Sequence, residues 1–565
     1  MKSEINTMVY DVEQILTIRE LEESACARFS DRVAFIKYVG DELCEITFSR
    51  CYEEVKALAT YLRRLVPAGS RVAVCGKNSY EWAISYLAVT CGVGVVVPID
   101  KDLRGEEIAS LLADSESSVL LCAPEILSKL GEYDGPCRLL SFADIDDYIR
   151  EGQALLEEGD TAYRDHEIDP HALGILLYTS GTTGVAKGVM LSQYNICFDI
   201  VAILRRLAVY PTDRAFSVSP LHHTYECTAG FLLVHYCGAS IFHNTSLRKL
   251  QAEMKMFRPT IMAVVPLIMD TFRNTIIKKY NRMFGGKALL SLQRFFSERS
   301  LPVVRKRIFS VVNEVFGGQL RLLVCGAASL DPEVFRDFER FGIRVVVGYG
   351  LTETSPVSIM HNDFYQDPTD IGYPLSGVKI RLSDVNDEGI GEIAIKGPNV
   401  MLGYYKNEEA TEAVLRDGWF YTGDLGVEAP NGAYKIVGRS KSMIVSPGGK
   451  KIFPEELELF LSKSLLVKEC MVFKHGEDDK GVLVASFYPD AEEVRRELSR
   501  EGLSEDSEAY REAEQKLFEA IVAEVNEKFP HYKRISCTVV RHREFVKTTT
   551  KKIRRQDPDN LTMEG

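Results

Sequence analysis

Several features that are scarce in this sequence narrow what the chain is. No run of about eighteen uncharged apolar residues occurs, and the N-terminal stretch MKSEINTMVYDVEQ lacks the apolar core of a signal peptide. We therefore expect a cytoplasmic protein without a membrane-spanning helix. Basic residues are outnumbered, because 68 Lys and Arg against 81 Asp and Glu leave a net charge of −13. An acidic balance of this kind argues against nucleic-acid binding.

The cysteine pattern excludes two further classes. The 13 cysteines are odd in number and scattered from Cys26 to Cys537, with no C-x-x-C pair and no nearby His set at metal-ligand spacing. This favours reduced thiols that mostly fill the core of a cytosolic protein. The spacing predicts neither a disulfide framework nor a zinc site.

What is present indicates a large α/β protein with a smaller C-terminal unit. Residues 71–100 and 320–350 each read as a Val-rich strand, a helix and a second strand, which is typical of a parallel sheet covered by helices. Beyond about residue 375 short alternating strands and Gly turns predominate, and a helix is predicted to begin near Pro454. We place a domain boundary at Lys441, with domains 1–440 and 441–565.

One loop carries the composition of a phosphate site. Residues 176–195, LLYTSGTTGVAKGVMLSQYN, combine glycines, hydroxyl side chains and Lys187. It is not the P-loop of nucleoside triphosphatases, because Ala186 precedes Lys187 and Gly188 follows it. Glycines still let backbone N–H groups approach a polyphosphate, and hydroxyls donate to it. The alternative is a flexible Gly/Thr loop without a ligand.

Seven motifs in order resemble those of the adenylate-forming enzymes, the superfamily of acyl-CoA synthetases, luciferases and peptide-synthetase adenylation domains. They are YTSGTTGVAKG (178–188), PLHHTYE (220–226), CGAAS (325–329), GYGLTETSP (348–356), DGWFYTGDLG (417–426), GRSKSMIVSPGGKKIFPEELE (438–458) and VKTTTKKIRR (546–555). The resemblance implies an α/β fold with a large multi-lobed N-terminal domain. Its parallel sheets are covered by helices, a small β-barrel-like lobe is attached, and a small mobile α+β domain follows.

The resemblance also implies which residues bind ATP, Mg²⁺ and coenzyme A. Tyr349 would stack on adenine, Asp424 would accept hydrogen bonds from the ribose hydroxyls, and Thr179 and Glu353 would share Mg²⁺. The full set implied for ATP and coenzyme A is Thr179, Ser180, Gly181, Thr182, Thr183, Gly184, Lys187, Gly326, Ala327, Tyr349, Gly350, Asp424, Arg439, Gly448 and Gly449. The alternative for Asp424 and Glu353 is a turn carboxylate that caps a backbone group.

The residues implied to act in catalysis are Lys552, Glu353, Thr352 and His223. Lys552 would stabilise the negative charge that gathers at the α-phosphate. This chain departs from the family pattern, because Val546 and Lys551 replace the usual Pro and Gly. Lys547 and Lys551 are therefore rivals of Lys552, and a basic solvated tail is the alternative. Lys441 occupies the position of the family's hinge.

Two features indicate the class of acid. His222 and His223 occupy the place where relatives that activate amino acids carry an Asp, and the long stretch before CGAAS is typical of long-chain fatty acyl synthetases. His223 would border the substrate carboxylate, although a structural histidine is the alternative.

Residues 270–316 contain ten Lys and Arg against three acidic residues, a net charge of 10 − 3 = +7. Interleaved apolar residues make peripheral membrane contact through 270–316 one interpretation, and the other is that the apolar residues belong to the core while the charges are solvated.

The sequence predicts an ATP-dependent, Mg²⁺-requiring ligase that forms an acyl-adenylate from a medium- to long-chain fatty acid and transfers the acyl group to coenzyme A. Two alternatives stay open at this stage. The acceptor is the phosphopantetheine of a carrier protein, or the chain is a non-catalytic nucleotide-binding or membrane-associated scaffold.

Overall fold

A computed structural model describes residues 10–180, 186–284, 311–312, 314–446, 450–476, 481–499, 507–547 and 553–563. Within these ranges no helix is both long enough and apolar enough to cross a bilayer.

The strands lie in two large sheets, two small sheets and one hairpin. In chain order they are β1 Val33–Val39, β2 Glu42–Thr47, β3 Ser70–Cys75, β4 Gly94–Ile99, β5 Val119–Cys122, β6 Arg138–Ser141, β7 Leu173–Ser180, β8 Ala186–Ser192, β9 Arg214–Ser217, β10 Ser240–His243, β11 Ile261–Val264, β12 Leu322–Cys325, β13 Arg344–Tyr349, β14 Ile359–Met360, β15 Tyr373–Pro374, β16 Lys379–Ser383, β17 Gly391–Lys396, β18 Gly403–Tyr404, β19 Leu415–Arg416, β20 Trp419–Glu428, β21 Tyr434–Arg439, β22 Ile444–Val445, β23 Lys451–Ile452, β24 Val467–His475, β25 Val482–Pro489 and β26 Ile535–Val540.

Helices connect and cover these strands. They are α1 Ile18–Phe29, α2 Phe48–Leu65, α3 Tyr80–Gly92, α4 Gly105–Asp114, α5 Pro124–Leu130, α6 Ile145–Glu157, α7 Gln193–Leu204, α8 Leu233–Tyr236, α9 Leu250–Phe257, α10 Pro266–Phe284, α11 Pro332–Arg340, α12 Glu408–Val414, α13 Pro454–Leu461, α14 Ala491–Leu498 and α15 Glu508–Lys528. A π-helix, Glu226–Leu232, runs directly into α8.

Both large sheets are built around parallel strands, as the sequence predicts. One has the order β18-β8-β7-β4-β3-β5-β6, and the other β15-β14-β13-β12-β11-β9-β10-β1-β2. Strand β4 is buried at all but its first residue and pairs in parallel with β3. A strand buried on both faces needs an apolar run rather than an alternating pattern, and the sequence VVVPI supplies it.

The two predicted strand–helix–strand units are confirmed. The first is β3-α3-β4, where the Ser79 hydroxyl accepts a hydrogen bond from the backbone N–H of Trp82 and so caps α3. The second is β12-α11-β13, where the Asp331 carboxylate caps the helix and Pro332 occupies its first turn. Both helix starts satisfy backbone donors that would otherwise lack partners.

The later part of the chain forms smaller antiparallel units. Strands β16, β17, β19, β20 and β21 form the small lobe, and a three-stranded sheet of β24, β25 and β26 packs with α13, α14 and α15 into a separate C-terminal core. Helix α13 begins at Pro454, where the sequence predicts it. The boundary at Lys441 falls in a short 3-10 turn, Ser440–Ser442.

Candidate active site

Residues of the predicted site follow the carboxyl ends of parallel strands. Asp100 follows β4, the loop from Ser219 to His223 follows β9, Gly326 follows β12, and Gly350 follows β13. Ligands of open α/β sheets bind outside these strand ends. The Asn78 side chain, which lies beyond β3, ties its own segment to the loop after β9 by donating to the Ser219 carbonyl (2.6 Å) and accepting from the Leu221 N–H (2.9 Å).

Three residues predicted for the nucleoside come together from two sheets. The Tyr349 hydroxyl donates to Asp424 Oδ2 at 2.8 Å, and Arg439 Nε lies 3.0 Å from Asp424 Oδ1. Asp424 is only 5% exposed, so both carboxylate oxygens are held in fixed directions. Burial, and then the charge of Asp424, raise the pKa of Tyr349 well above its ordinary value, so the phenol stays a donor.

The neighbouring loops need small residues at two positions. A Cβ on Gly326 would lie 2.9 Å from the Tyr225 ring, and a Cβ on Gly350 would lie 2.0 Å from the Pro356 carbonyl oxygen. Ala327, beside Gly326, has a positive φ of 69°. Larger side chains would force these loops apart, because both glycines pack directly against other parts of the chain.

The residues predicted for phosphate and Mg²⁺ meet around a tyrosine that the sequence analysis did not single out. The Tyr404 hydroxyl donates to Glu353 Oε1 at 2.9 Å, while Lys187 Nζ lies 4.9 Å from the centroid of the same ring. Thr179 pairs with Lys187 across β7 and β8, and its hydroxyl donates to the Lys187 carbonyl at 3.4 Å. Thr352 and Glu353 form the start of a 3-10 turn, Thr352–Thr354.

Part of the predicted loop cannot be placed in the same way. Ser180 ends β7, but Gly181, Thr182, Thr183 and Gly184 lie outside the described residues, and so do Gly448 and Gly449.

The rings of the two adjacent histidines contact each other at a tilt, with a buried carboxylate nearby. The rings of His222 and His223 have centroids 4.1 Å apart, and His222 Nε2 is 3.6 Å from Asp100 Oδ2. Burial, followed by the charge of Lys101, lowers the pKa of His222 to about 4, so this imidazole is neutral at neutral pH. His223 is predicted to border the substrate carboxylate, and the structure adds His222 and Asp100 as its neighbours.

We call Tyr349, Asp424 and Arg439, together with the loops at Gly326 and Gly350, the nucleoside wall. An apolar cavity adjoins it. Its lining includes Phe216, Tyr225, Ala229, Val234, Met262 and Gly348. Gly348 directly precedes Tyr349, and the Tyr225 ring that lines the cavity is the same ring that packs on Gly326. The Tyr225 hydroxyl donates to the Val324 carbonyl at 2.7 Å, so the face of the phenol that meets the cavity is apolar.

A buried acid lies behind this cavity wall. Glu226 begins the π-helix and is 1% exposed, and neither carboxylate oxygen has a hydrogen-bond partner among the described residues. A Cβ on Gly230, which lines the cavity, would lie 2.6 Å from Glu226 Oε1. Burial raises the pKa of Glu226 to about 8, so the group is mostly a neutral acid at pH 7.

The residues on either side of the undescribed segment 548–552 pair with each other. Lys547 and Ile553 form an antiparallel bridge, and the Arg554 N–H donates to the Val546 carbonyl at 2.9 Å. Lys551 and Lys552 belong to the segment outside the described ranges. Lys547, the third rival, is engaged by Glu469 at 2.6 Å and Glu544 at 3.3 Å.

The tail lies within electrostatic reach of the N-terminal region. The pKa of Glu107, in the first turn of α4, is lowered mainly by hydrogen bonds from the Arg104 backbone and side chain. The charge of Arg554 adds to this lowering. The charge of Arg554, two residues beyond Lys552, therefore acts on the first turn of α4.

The sequence analysis missed Tyr404, Tyr225, Asn78 and Asp100. Tyr225 lies within the motif PLHHTYE, whereas Tyr404 lies outside the seven motifs, and its only local signal is an aromatic residue directly after Gly403. Asn78 and Asp100 each lie just beyond the carboxyl end of a Val-rich parallel strand, which is the position that the strand-end rule favours.

Comparisons with known proteins agree with this geometry. The sequence model of AMP-binding enzymes matches residues 21–405, and that of the AMP-binding enzyme C-terminal domain matches residues 441–559. A chloroplastic long-chain-fatty-acid–[acyl-carrier-protein] ligase of Arabidopsis thaliana is 26% identical over 86% of this chain and 78% of its own length. Long-chain-fatty-acid–CoA ligase 5 of Rattus norvegicus is 30% identical over 75% of this chain and 67% of its own length.

Solved structures share the fold. A crystal structure of an anthranilate CoA ligase in complex with anthranoyl-AMP has a TM-score of 0.74 at 22% identity, with 98% of this chain and 97% of that chain covered. An o-succinylbenzoate CoA synthetase of Bacillus subtilis, in complex with its acyl-adenylate intermediate, has a TM-score of 0.72 at 20% identity, with 96% and 99% covered.

Proposed function

The chain belongs to the family of AMP-binding enzymes, and we propose that it activates a medium- to long-chain fatty acid with ATP and transfers the acyl group to coenzyme A. The observation that carries the proposal is the apolar cavity that shares Tyr225 with the wall at Gly326 and Gly348 with the strand of Tyr349. An acyl chain in this cavity would present its carboxylate at the strand ends, where the nucleotide is expected. The names of the fatty-acid ligases reported above support the same class of acid.

Asp424 is the proposed anchor for the ribose. Its two oxygens are oriented by Tyr349 and Arg439, and a charge-assisted hydrogen bond is stronger than one between neutral groups. Tyr349 would present its ring to the adenine, and the small residues Gly326 and Gly350 let the loops on either side of it pack closely.

Thr179 and Glu353 fit a magnesium ion, since a hydroxyl and a carboxylate offer the oxygen donors that this hard cation prefers. When bound, Mg²⁺ would neutralise charge on the triphosphate. Tyr404 would hold the Glu353 carboxylate in place through its 2.9 Å hydrogen bond, and Lys187 would add a positive charge on the other side of the same ring.

The proposed reaction has two steps. A carboxylate oxygen of the acid forms a bond to the α-phosphorus, and the bond from this phosphorus to the bridging oxygen breaks to release pyrophosphate. The thiol sulfur then attacks the acyl carbon, AMP leaves, and the thiol proton is released. Lys552 would stabilise the charge of the first step. The ion pairs of Lys547 with Glu469 and Glu544 support Lys552 over Lys547 for this role.

The acceptor is tested by offering both thiols. Purified protein is incubated with ATP, Mg²⁺ and acids from acetate to oleate, plus aromatic acids, and pyrophosphate and AMP are followed with and without coenzyme A. We expect pyrophosphate with acids of about eight or more carbons, since each added methylene buries more apolar surface. AMP release that depends on coenzyme A would support the proposal. If coenzyme A stimulates AMP release with none of the acids, the proposal is contradicted.

The carrier-protein acceptor is the second candidate, and the Arabidopsis relative named as an acyl-carrier-protein ligase favours it. If acyl-adenylate forms but only a phosphopantetheinylated carrier protein releases AMP, this candidate replaces coenzyme A. Coenzyme A and the carrier protein present the same phosphopantetheine thiol, so the two incubations differ only in the molecule to which this group is attached.

Peripheral membrane contact through residues 270–316 is a separate proposal. The described part of this segment weakens it, because Arg273 pairs with Asp337 at 2.7 Å, Lys279 with Glu314 at 3.0 Å, and Lys278 lies 3.4 Å from Glu493. The basic residues from 285 to 310 lie outside the described ranges. Salt-sensitive cosedimentation with anionic vesicles would support the contact, and equal recovery with neutral and anionic vesicles would contradict it.

A further inference from the structure

Three side chains with metal-binding atoms meet in the core, away from the candidate active site. Glu22 comes from α1, Cys51 from α2 and His235 from α8, and each is 0% exposed. A carboxylate oxygen, the thiol sulfur and an imidazole nitrogen all lie within 4.8 Å of one another. The three residues are far apart in sequence, so no spacing rule could have grouped them.

The pairing within this cluster is incomplete. His235 Nε2 lies 2.7 Å from Glu22 Oε2, but Glu22 Oε1 and His235 Nδ1 have no hydrogen-bond partner among the described residues. A carboxylate oxygen without a partner in a dry interior is costly, because it has lost water and gained nothing in return.

The surroundings of the cluster are aromatic. The His235 ring packs against Phe48 with centroids 4.7 Å apart, against Phe35 at 5.5 Å and against Phe231 at 6.1 Å. These rings make the surroundings of the cluster apolar, so its polar atoms depend on one another for partners.

We propose that Glu22, Cys51 and His235 bind a structural zinc ion that ties α1, α2 and α8 together. A thiolate, a carboxylate and a neutral imidazole sum to the charge of −2 that a zinc ion balances, so the site would be neutral inside the core. Sulfur, nitrogen and oxygen are the ligand atoms that zinc prefers in proteins. Glu22 would bind through both carboxylate oxygens, the unpartnered Oε1 included, which makes the tetrahedron distorted because two oxygens of one carboxylate lie closer together than separate ligands do.

The geometry requires a small adjustment. Ligand atoms around a tetrahedral zinc lie roughly 3.3 to 3.7 Å apart, as follows from bonds of about 2.0 to 2.3 Å. The limit of 4.8 Å therefore calls for a contraction of about 1 Å, which side-chain rotation of Cys51 can provide. Glu22 and His235 would separate slightly, since their present 2.7 Å contact is a direct hydrogen bond.

A catalytic interpretation of the same residues is excluded by access. A Cys, a His and a Glu can form a nucleophilic triad, but Cys51 is fully buried and none of the three lines the apolar cavity of the candidate active site. The cluster is also distinct from the proposed Mg²⁺ site, because thiolate and imidazole are poor ligands for magnesium.

The test is a metal analysis of the intact protein. The chain is expressed in zinc-supplemented medium and dialysed against EDTA, and zinc is measured before and after unfolding in guanidinium with a colorimetric chelator. We expect about one zinc per chain that resists EDTA in the folded protein and is released only on unfolding. The full burial of the ligands explains the slow release.

Variants then assign the site. Cys51→Ser should lower the zinc content at least tenfold, and Cys122→Ser, at an equally buried cysteine at the end of β5, should retain it. A wild-type zinc content below a tenth of an equivalent would overturn the proposal, as would equal zinc in the two variants. The wild-type result decides the matter even if a variant fails to fold, and cobalt-grown wild-type protein should show the thiolate charge-transfer absorption of a Cys ligand.

Discussion

The nucleoside wall and the apolar cavity both contact the Tyr225 ring, yet they are built on opposite principles. At the wall, polar groups from separate sheets are paired with each other, as in the contacts of Asp424 with Tyr349 and Arg439. In the cavity the lining is apolar, and the acid behind it, Glu226, is unpaired. A polar ligand is oriented by fixed hydrogen bonds, whereas an alkyl chain is selected by volume and by exclusion of water.

This difference predicts that substitutions on the two sides will separate the kinetic parameters of the two substrates. Residues that act at the shared α-phosphate should affect all acids alike, wall residues should act through ATP, and cavity residues should act through chain length. The four predictions that follow run from the largest expected effect to the smallest.

Lys552→Ala should lower the rate of acid-dependent pyrophosphate release by about 10² to 10³-fold, because a positive charge at the transition state is lost. The loss should be the same for short and long acids, and nucleotide binding measured by calorimetry should change little. Lys547→Ala is the matched control, since Lys547 is held by Glu469 and Glu544. Full activity of the Lys552 variant would remove this residue from the mechanism.

Asp424→Asn should lower kcat/KM for ATP by roughly 10 to 100-fold, since a hydrogen bond to a charged group contributes about 1.5 to 3 kcal/mol. The effect should be equal for every acid, because the ribose site does not contact the acyl chain. Steady-state kinetics with ATP and with 2′-deoxy-ATP provide the measurement. If the variant and the wild type respond identically to the missing hydroxyl, Asp424 does not bind the ribose.

Val234→Phe should discriminate between acids by length. Val234 is 3% exposed and lines the cavity, so a larger side chain removes volume that a long acyl chain needs. We expect kcat/KM to fall about tenfold for palmitate and little for a short acid that the wild type accepts. A uniform loss across chain lengths would indicate a general packing defect, and a thermal melt of the variant would reveal it.

Glu226→Gln should change the pH dependence of the free energy of unfolding and have little effect on kcat/KM for ATP. The pKa of Glu226 is raised to about 8 in the folded chain, so between its unfolded value and pH 8 the folded state retains a proton that the unfolded state has lost. Stability therefore falls as pH rises through this window, by at most about 1.4 kcal/mol per pH unit from this group.

As pH rises from 5 to 8, the free energy of unfolding of the Gln variant should increase relative to that of the wild type, because only the wild type loses this contribution. Chemical denaturation at both pH values measures it, and Glu106→Gln, at an exposed position on α4, is the control. A difference between wild type and the Glu226 variant that does not change with pH would contradict the assignment of a buried neutral acid.

The parallel sheets could be predicted from the sequence because they depend on local patterns. The Val-rich runs of β3, β4 and β13, and the Asp331-Pro332 helix start, carry their own signal within a few residues. The contact of Tyr349 with Asp424 joins residues 75 apart, and that of Tyr404 with Glu353 joins residues 51 apart. Such pairs depend on how sheets pack, which no short window contains.

The same reasoning explains the zinc proposal. The cysteine spacing predicted no zinc site, because spacing rules describe ligands on one loop or hairpin. The cluster of Glu22, Cys51 and His235 is assembled by three packed helices instead. The expectation of no zinc depends on local spacing in the sequence, whereas the proposal depends on how three helices pack. Metal analysis decides between them.

The most direct test of the account is to identify the product formed from ATP and dodecanoate before any thiol is added. The chain is incubated with Mg²⁺, ATP and the acid, and the mixture is analysed by mass spectrometry for acyl-adenylate and by enzymatic assay for pyrophosphate and ADP. The account predicts dodecanoyl-AMP and pyrophosphate in equal amounts. Formation of ADP and phosphate without an adenylate would contradict it.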